Sequence, residues 1–97
     1  MEEIAQPIKL GAYRHFKCNL YWVLGIARHS ETEEPLVVYR ALYGEGGLWA
    51  RPLAMFLEQV DKVKYPDVPQ EMRFEKIAND SPEVAVVRAA HPEWFGM

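Results

Sequence analysis

"LVVYRALYGEGGLWARPL", residues 36–53, decides the fold. A β-branched and aromatic run, 36–43, reaches a glycine cluster, "GEGG" at 44–47, and a second apolar run, 48–53, leaves it. Glycine takes positive φ without steric cost, so the cluster reads as a turn joining two antiparallel strands. A phosphate-cradling loop is the competing reading. Such loops lead into a helix and often carry Lys. Here the glycines lead into a strand, and Glu45 would repel an anion. Pro52 lacks an N–H, which puts the second strand at a sheet edge or ends it there.

Working towards the N-terminus, "AYRHFK" at 12–17 alternates and reads as a short first strand. "CN" at 18–19 turns the chain, with Asn19 able to adopt positive φ. "LYWVLGIARH" at 20–29 reads as a long strand in which Gly25 marks a bulge. "SETEEP" at 30–35 is a polar connection to the 36–43 strand. Towards the C-terminus, "AMFLEQV" suits one helical turn and the prolines at 66 and 69 mark a loop. "MRFEKI" at 72–77 supplies a closing strand with Phe74 inward. Five short strands with short connections predict a mainly β fold: a small SH3-like antiparallel barrel or a rolled five-stranded sheet. The tail adds a helix, or, through "VAVV" at 84–87, a further strand. Ser81 stands as N-cap, Pro82 at the first position and Glu83 in the first turn, while Pro92 stops it. So short a helix is marginal alone, so it must dock through Val84, Val87 and Trp94–Phe95. The dock is its own barrel or a second copy of the chain, a homodimer. The reading divides the chain into a lead-in at 1–11, a β domain at 12–77 and a C-terminal extension at 78–97. Trp22, Trp94 and Phe95, where exposed, would mark a contact surface.

The bulk numbers narrow the function. With 97 residues, 49% hydrophobic and 26% charged, the chain is one globular domain, neither disordered nor membrane-like. A domain this size buries only about 60–65% of its unfolded surface, so a few large side chains carry the core. Net charge is -3, which predicts no bulk attraction to nucleic acid or to anionic lipid. Between Ile4 and Ser30, however, there is no acid, while Lys9, Arg14, Lys17 and Arg28 fall there. The single cysteine, Cys18, makes no intramolecular disulfide and no cysteine-pair zinc site, and no signal-like or membrane-spanning run is present. These features predict a cytoplasmic protein with no membrane partner.

The segments "YRHFK", "LGIARHSET", "VVYRALYG" and "LWARPLAMF" together resemble a small bacterial family, domain of unknown function 1653, over about residues 12–77. The resemblance implies a compact β-barrel-type domain and no assigned activity. That family usually carries Gly where Cys18 stands here, and often Gly in the 30–35 turn where Glu33 stands. The first turn then relies on Asn19 or tolerates strain, and the second is a looser acidic connection.

Three function classes follow from the side chains. The first is a non-catalytic module that binds a peptide or protein partner. Tyr39, Arg40, Tyr43, Trp49 and Arg51 cluster around one hairpin, and Tyr, Trp and Arg dominate binding hot spots. Alternation places Arg40 on the face opposite Tyr39. The second is an RNA or single-strand binder using Tyr13, Arg14, His15, Lys17, Arg28 and His29, since interleaved rings and cations suit bases and phosphates. The third is a small enzyme or nucleotide binder with His15, His29 and Glu45 as its polar groups. No catalytic set and no metal set is legible. Cys18 beside His15 or His29 is the only thiol pairing, and no third ligand accompanies the two histidines. No cofactor is predicted.

Overall fold

The computed structural model describes residues 8–95; most of the expected lead-in at 1–11 lies outside them. Five antiparallel strands form one sheet: β1 Gly11–His15, β2 Leu20–Arg28, β3 Pro35–Ala41, β4 Leu48–Pro52 and β5 Phe74–Lys76, in the order β4-β3-β2-β1-β5. A single turn of helix, α1 Leu53–Phe56, follows β4. The helix α2, Pro82–Ala90, and a 3-10 turn at Pro92–Phe95 close the chain. The expected elements are present. The expected closure is not: β4 and β5 are the two edges and do not pair with each other, so the sheet is open and no SH3-like barrel forms. The sheet nevertheless curls. The Arg51 guanidinium on one edge lies 5.5 Å from the ring of Phe74 on the other.

The core fills the inside of the curl. Alternation sends Tyr13, Tyr21, Val23, Val37 and Tyr39 to that face, where α1 adds Phe56 and β5 adds Phe74. Phe56 stacks on Phe74 at 4.3 Å and 9°. Tyr13 meets Phe56 edge-on at 5.3 Å, and Tyr39 packs 5.8 Å from both phenylalanines. Offset and edge contacts of this kind add about 0.5–1.5 kcal/mol each beyond area burial. Truncating Phe56 alone would cost about 3–5 kcal/mol.

The β2–β3 register slips between Val23 and Gly25, leaving Leu24 as the extra residue of a bulge. Val23 and Ile26 therefore both oppose inward-facing partners, Tyr39 and Val37. In the first turn, positive φ falls on Cys18 (79°), not on Asn19, and in the second it falls on Glu33 (64°). Both are the positions where the family resemblance implies glycine.

The outer face is covered by the tail. Ser81 stands as N-cap and Pro82 at N1, as the sequence predicts, although the Ser81 hydroxyl is buried without a partner. Val84 is fully buried and Trp94 nearly so. Phe95 meets Trp22 edge-on at 4.9 Å, and the Arg88 guanidinium lies 4.3 Å from the Phe95 ring and 5.2 Å from Trp22. Trp94 is thus no exposed contact ring, and Trp22 and Phe95 are half-buried against the chain's own tail. Arg14 ties the helix to β1 through Glu83, with Glu75 at 3.9 Å. Among the described residues no helix is long and apolar enough to cross a membrane.

Candidate binding site

The glycine turn answers first. Gly44 and Gly46 both take positive φ, 60° and 67°, and the Gly46 amide donates to the Tyr43 carbonyl. The run is a hairpin turn built as glycine allows, with the Gly46 amide engaged within the turn.

The turn and β4 position four of the five aromatic–arginine residues. Tyr39, Tyr43, Trp49 and Arg51, joined by Tyr21, line a hollow of about 240 Å³. Cross-strand register explains the grouping: Trp49 opposes Tyr39, Arg51 opposes Val37 and Tyr21 opposes Ala41, all on the inner face. Trp49 is 58% and Tyr43 44% exposed, so two rings are open to a ligand. Tyr39 is buried; it contributes a wall and its hydroxyl, which accepts from Arg51 Nε at 3.4 Å. The hydroxyls of Tyr21 and Tyr43 are 2.8 Å apart. Burial, and then the Tyr43 hydrogen bond, push the Tyr21 phenol well above its ordinary range. Among the described residues Arg51 has no carboxylate partner. The side chain is half-buried, with its guanidinium over the Phe74 ring.

Arg40 does not belong to this site. The pleat sends it outward, where Nη1 donates to the Gly46 carbonyl at 2.6 Å and Nε is buried without a partner. It braces the turn from behind. Tyr21 was not in the sequence-derived set. Its signal is the alternation Tyr21–Val23, which places it on the face of Tyr39 once the register is known.

The "YRHFK" residues separate. Tyr13 is buried in the core, its hydroxyl donating to the Lys9 carbonyl, and burial raises its pKa. It offers no stacking surface. Arg14 is paired with Glu83. Arg28 donates to the Glu33 carbonyl at 3.0 Å, and His29 Nδ1 accepts from the amides of Glu31 and Thr32, so both brace the 30–35 turn. His15, at the end of β1 beside the start of β2, and His29, just past the end of β2, are separated by about 30 Å of extended strand, with Glu45 exposed on the β3–β4 turn. These three form no common site.

His15 and Lys17 remain together. They line a second hollow, about 360 Å³, with Phe16, Asp61, Lys64, Tyr65 and Arg73. Burial first, then the cations Arg73, Arg51 and Lys17, lower the His15 pKa to about 4. The Lys17 amide donates to His15 Nδ1, which suits the neutral ring. Among the described residues no group of three or more His, Cys, Asp or Glu converges as metal ligands would.

Residues 11–76 match the family described as protein of unknown function, DUF1653. The chain belongs to the DUF1653 family. A crystal structure of a DUF1653 protein from Bordetella bronchiseptica is similar to this chain at 35% identity and a TM-score of 0.66. The match covers 78% of this chain and 95% of that one. No curated protein matches. The aromatic–arginine hollow and the β-turns of this DUF1653 domain all lie inside the matched residues. The helix α2 and the 3-10 turn lie outside them.

Proposed function

We propose that this DUF1653 domain is a non-catalytic binding module that holds a peptide segment of a partner protein against Tyr43, Trp49 and Arg51. The observation that carries the reading is the hollow itself: two exposed rings, and a guanidinium with no carboxylate partner among the described residues, beside the edge strand β4. An edge strand offers unpaired backbone groups to an added strand, and adjoining pockets then select side chains. Arg51 favours a segment with an acidic residue. The rings favour a proline or aliphatic side chain next to it, because such groups pack on aromatic faces at little entropic cost.

Selection from a displayed peptide library tests this. The expected outcome is a set of peptides with an acid adjacent to proline or an aliphatic residue. Trp49→Ala and Arg51→Ala should each weaken the selected peptide about tenfold or more. Peptides that bind the double variant as well as the wild type would remove the site.

A further inference from the structure

The second hollow shares no residue with the first. It has the opposite character from a chain of net charge -3. Lys17 Nζ lies 5.6 Å from the Tyr65 ring and 5.8 Å from Phe16, and Lys64 Nζ lies 5.7 Å from the same Tyr65 ring. Arg73 joins them with its guanidinium 5.9 Å from Phe16. Three cations are thus gathered around two rings that meet edge-on at 4.9 Å. Gathering like charges is unfavourable unless something neutralises them. The protein does so only in part. Asp61 faces the same hollow, but its Oδ1 accepts from the amides of Val63 and Lys64. Glu58, outside the lining, reaches Arg73 at 3.5 Å. Neither Lys17 nor Lys64 has a carboxylate within ion-pair distance among the described residues.

We infer that the Lys17–Lys64–Arg73 hollow is a binding site for a phosphate monoester. The lining sets three cations against one carboxylate, Asp61, and a phosphate dianion balances that lining while offering more acceptor oxygens than a carboxylate. Two ammonium groups and a guanidinium supply several donors to its oxygens. The about 360 Å³ of space admits the rest of a small molecule or side chain beyond the phosphate. The aromatic rings hold the lysines in place by cation–π attraction, so less side-chain freedom is lost on binding. His15, facing Arg73, Arg51, Lys17 and Asp61 and packed on Phe16, Tyr21 and Phe74, is neutral at pH 7. A bound dianion offsets the cations and raises its pKa.

The test is an NMR titration of the whole chain at low ionic strength with two probes, uridine monophosphate and a phosphoserine tripeptide. Phosphate binding shifts the amides of residues 15–17, 61–65 and 73 and moves the His15 ring titration upward. Lys17→Gln with Lys64→Gln, both exposed positions, should weaken binding at least about tenfold. Lys9→Gln, before β1 and away from the hollow, should not. Tighter nucleotide binding identifies a free phosphorylated metabolite, and tighter phosphopeptide binding identifies a modified partner side chain; either keeps the site. Shifts with neither probe below 10 mM, shifts spread over the surface, or equal affinity in the double variant would overturn it.

Discussion

Gly46 of the β3–β4 turn packs directly beneath the indole of Trp94: a Cβ added at Gly46 would lie 2.6 Å from Trp94 Nε1. Gly44, two residues earlier, has a similar positive φ and nothing within 4 Å of the same added carbon. The pair separates backbone strain from packing. Gly44→Ala should cost about 1 kcal/mol, the strain alone. Gly46→Ala should cost about 2–4 kcal/mol, because the ring must also move. In a Trp94→Ala background the cost of Gly46→Ala should fall to that of Gly44→Ala. Denaturant midpoints for the cycle measure this, and additive costs would show that the tail does not sit on the turn.

Among the described residues Cys18 and Glu33 are the two non-glycine residues with positive φ, and both are exposed. A left-handed conformation costs an L-residue about 1–2 kcal/mol, and glycine's extra freedom in the unfolded chain returns about half of that. Cys18→Gly and Glu33→Gly should each raise stability by about 0.5–1 kcal/mol. Cys18→Ala should not. Thermal melts of the three variants decide it; equal melting points would mean that the turns relax on their own.

Those two residues also show what was legible in the sequence. The turns were readable because strands on either side alternate. The strained residue within each turn was not, because Asn19 is the better left-handed former and φ depends on the hydrogen bonds that close the loop. His15 N bonds to Asn19 O, and Cys18 N bonds back to His15 O, which leaves Cys18 at the corner. Tyr39, Tyr43, Trp49 and Arg51 were legible as one group because they flank one hairpin. The second hollow was not. Its residues come from 15–17, 61–65 and 73, distant segments brought together when Val60 N pairs with Glu71 O and Phe16 N with Arg73 O. Of the two expected architectures, barrel or rolled five-stranded sheet, the barrel does not form, for a similar reason. Strand count follows from local pattern, whereas pairing of β4 with β5 depends on the geometry of the loop between them.

His15 makes stability depend on pH. Its pKa is about 4 in the fold, against about 6.5 in the unfolded chain. The unfolded chain therefore binds the proton first as pH falls, and the fold loses stability between about pH 6.5 and pH 4. For a half-buried ring, screening reduces the loss to roughly 1–2 kcal/mol. His15→Gln should remove that part of the slope while leaving stability above pH 7 little changed. Urea titrations at pH 7.5 and 4.5 supply the comparison, and parallel slopes in both proteins would refute the assignment.

Val84 is the point at which the tail can be detached without touching the inner core. It is fully buried on the outer face, while Tyr13, Phe56 and Phe74 close the inside of the curl. An aspartate there would carry an unpaired charge into an apolar contact, at a cost of several kcal/mol. A nine-residue helix has little stability of its own to offset it. Val84→Asp should therefore undock residues 81–95 and leave the sheet folded, with Trp22 newly exposed. Limited proteolysis should cut the tail and spare the strands, and tryptophan emission should move to longer wavelength. The exposed outer face should also promote self-association, visible as a concentration-dependent elution volume. Loss of the β signal in step with the helix would instead make the two faces one cooperative unit, because the Gly46–Trp94 and Arg14–Glu83 contacts would then be holding the sheet itself together.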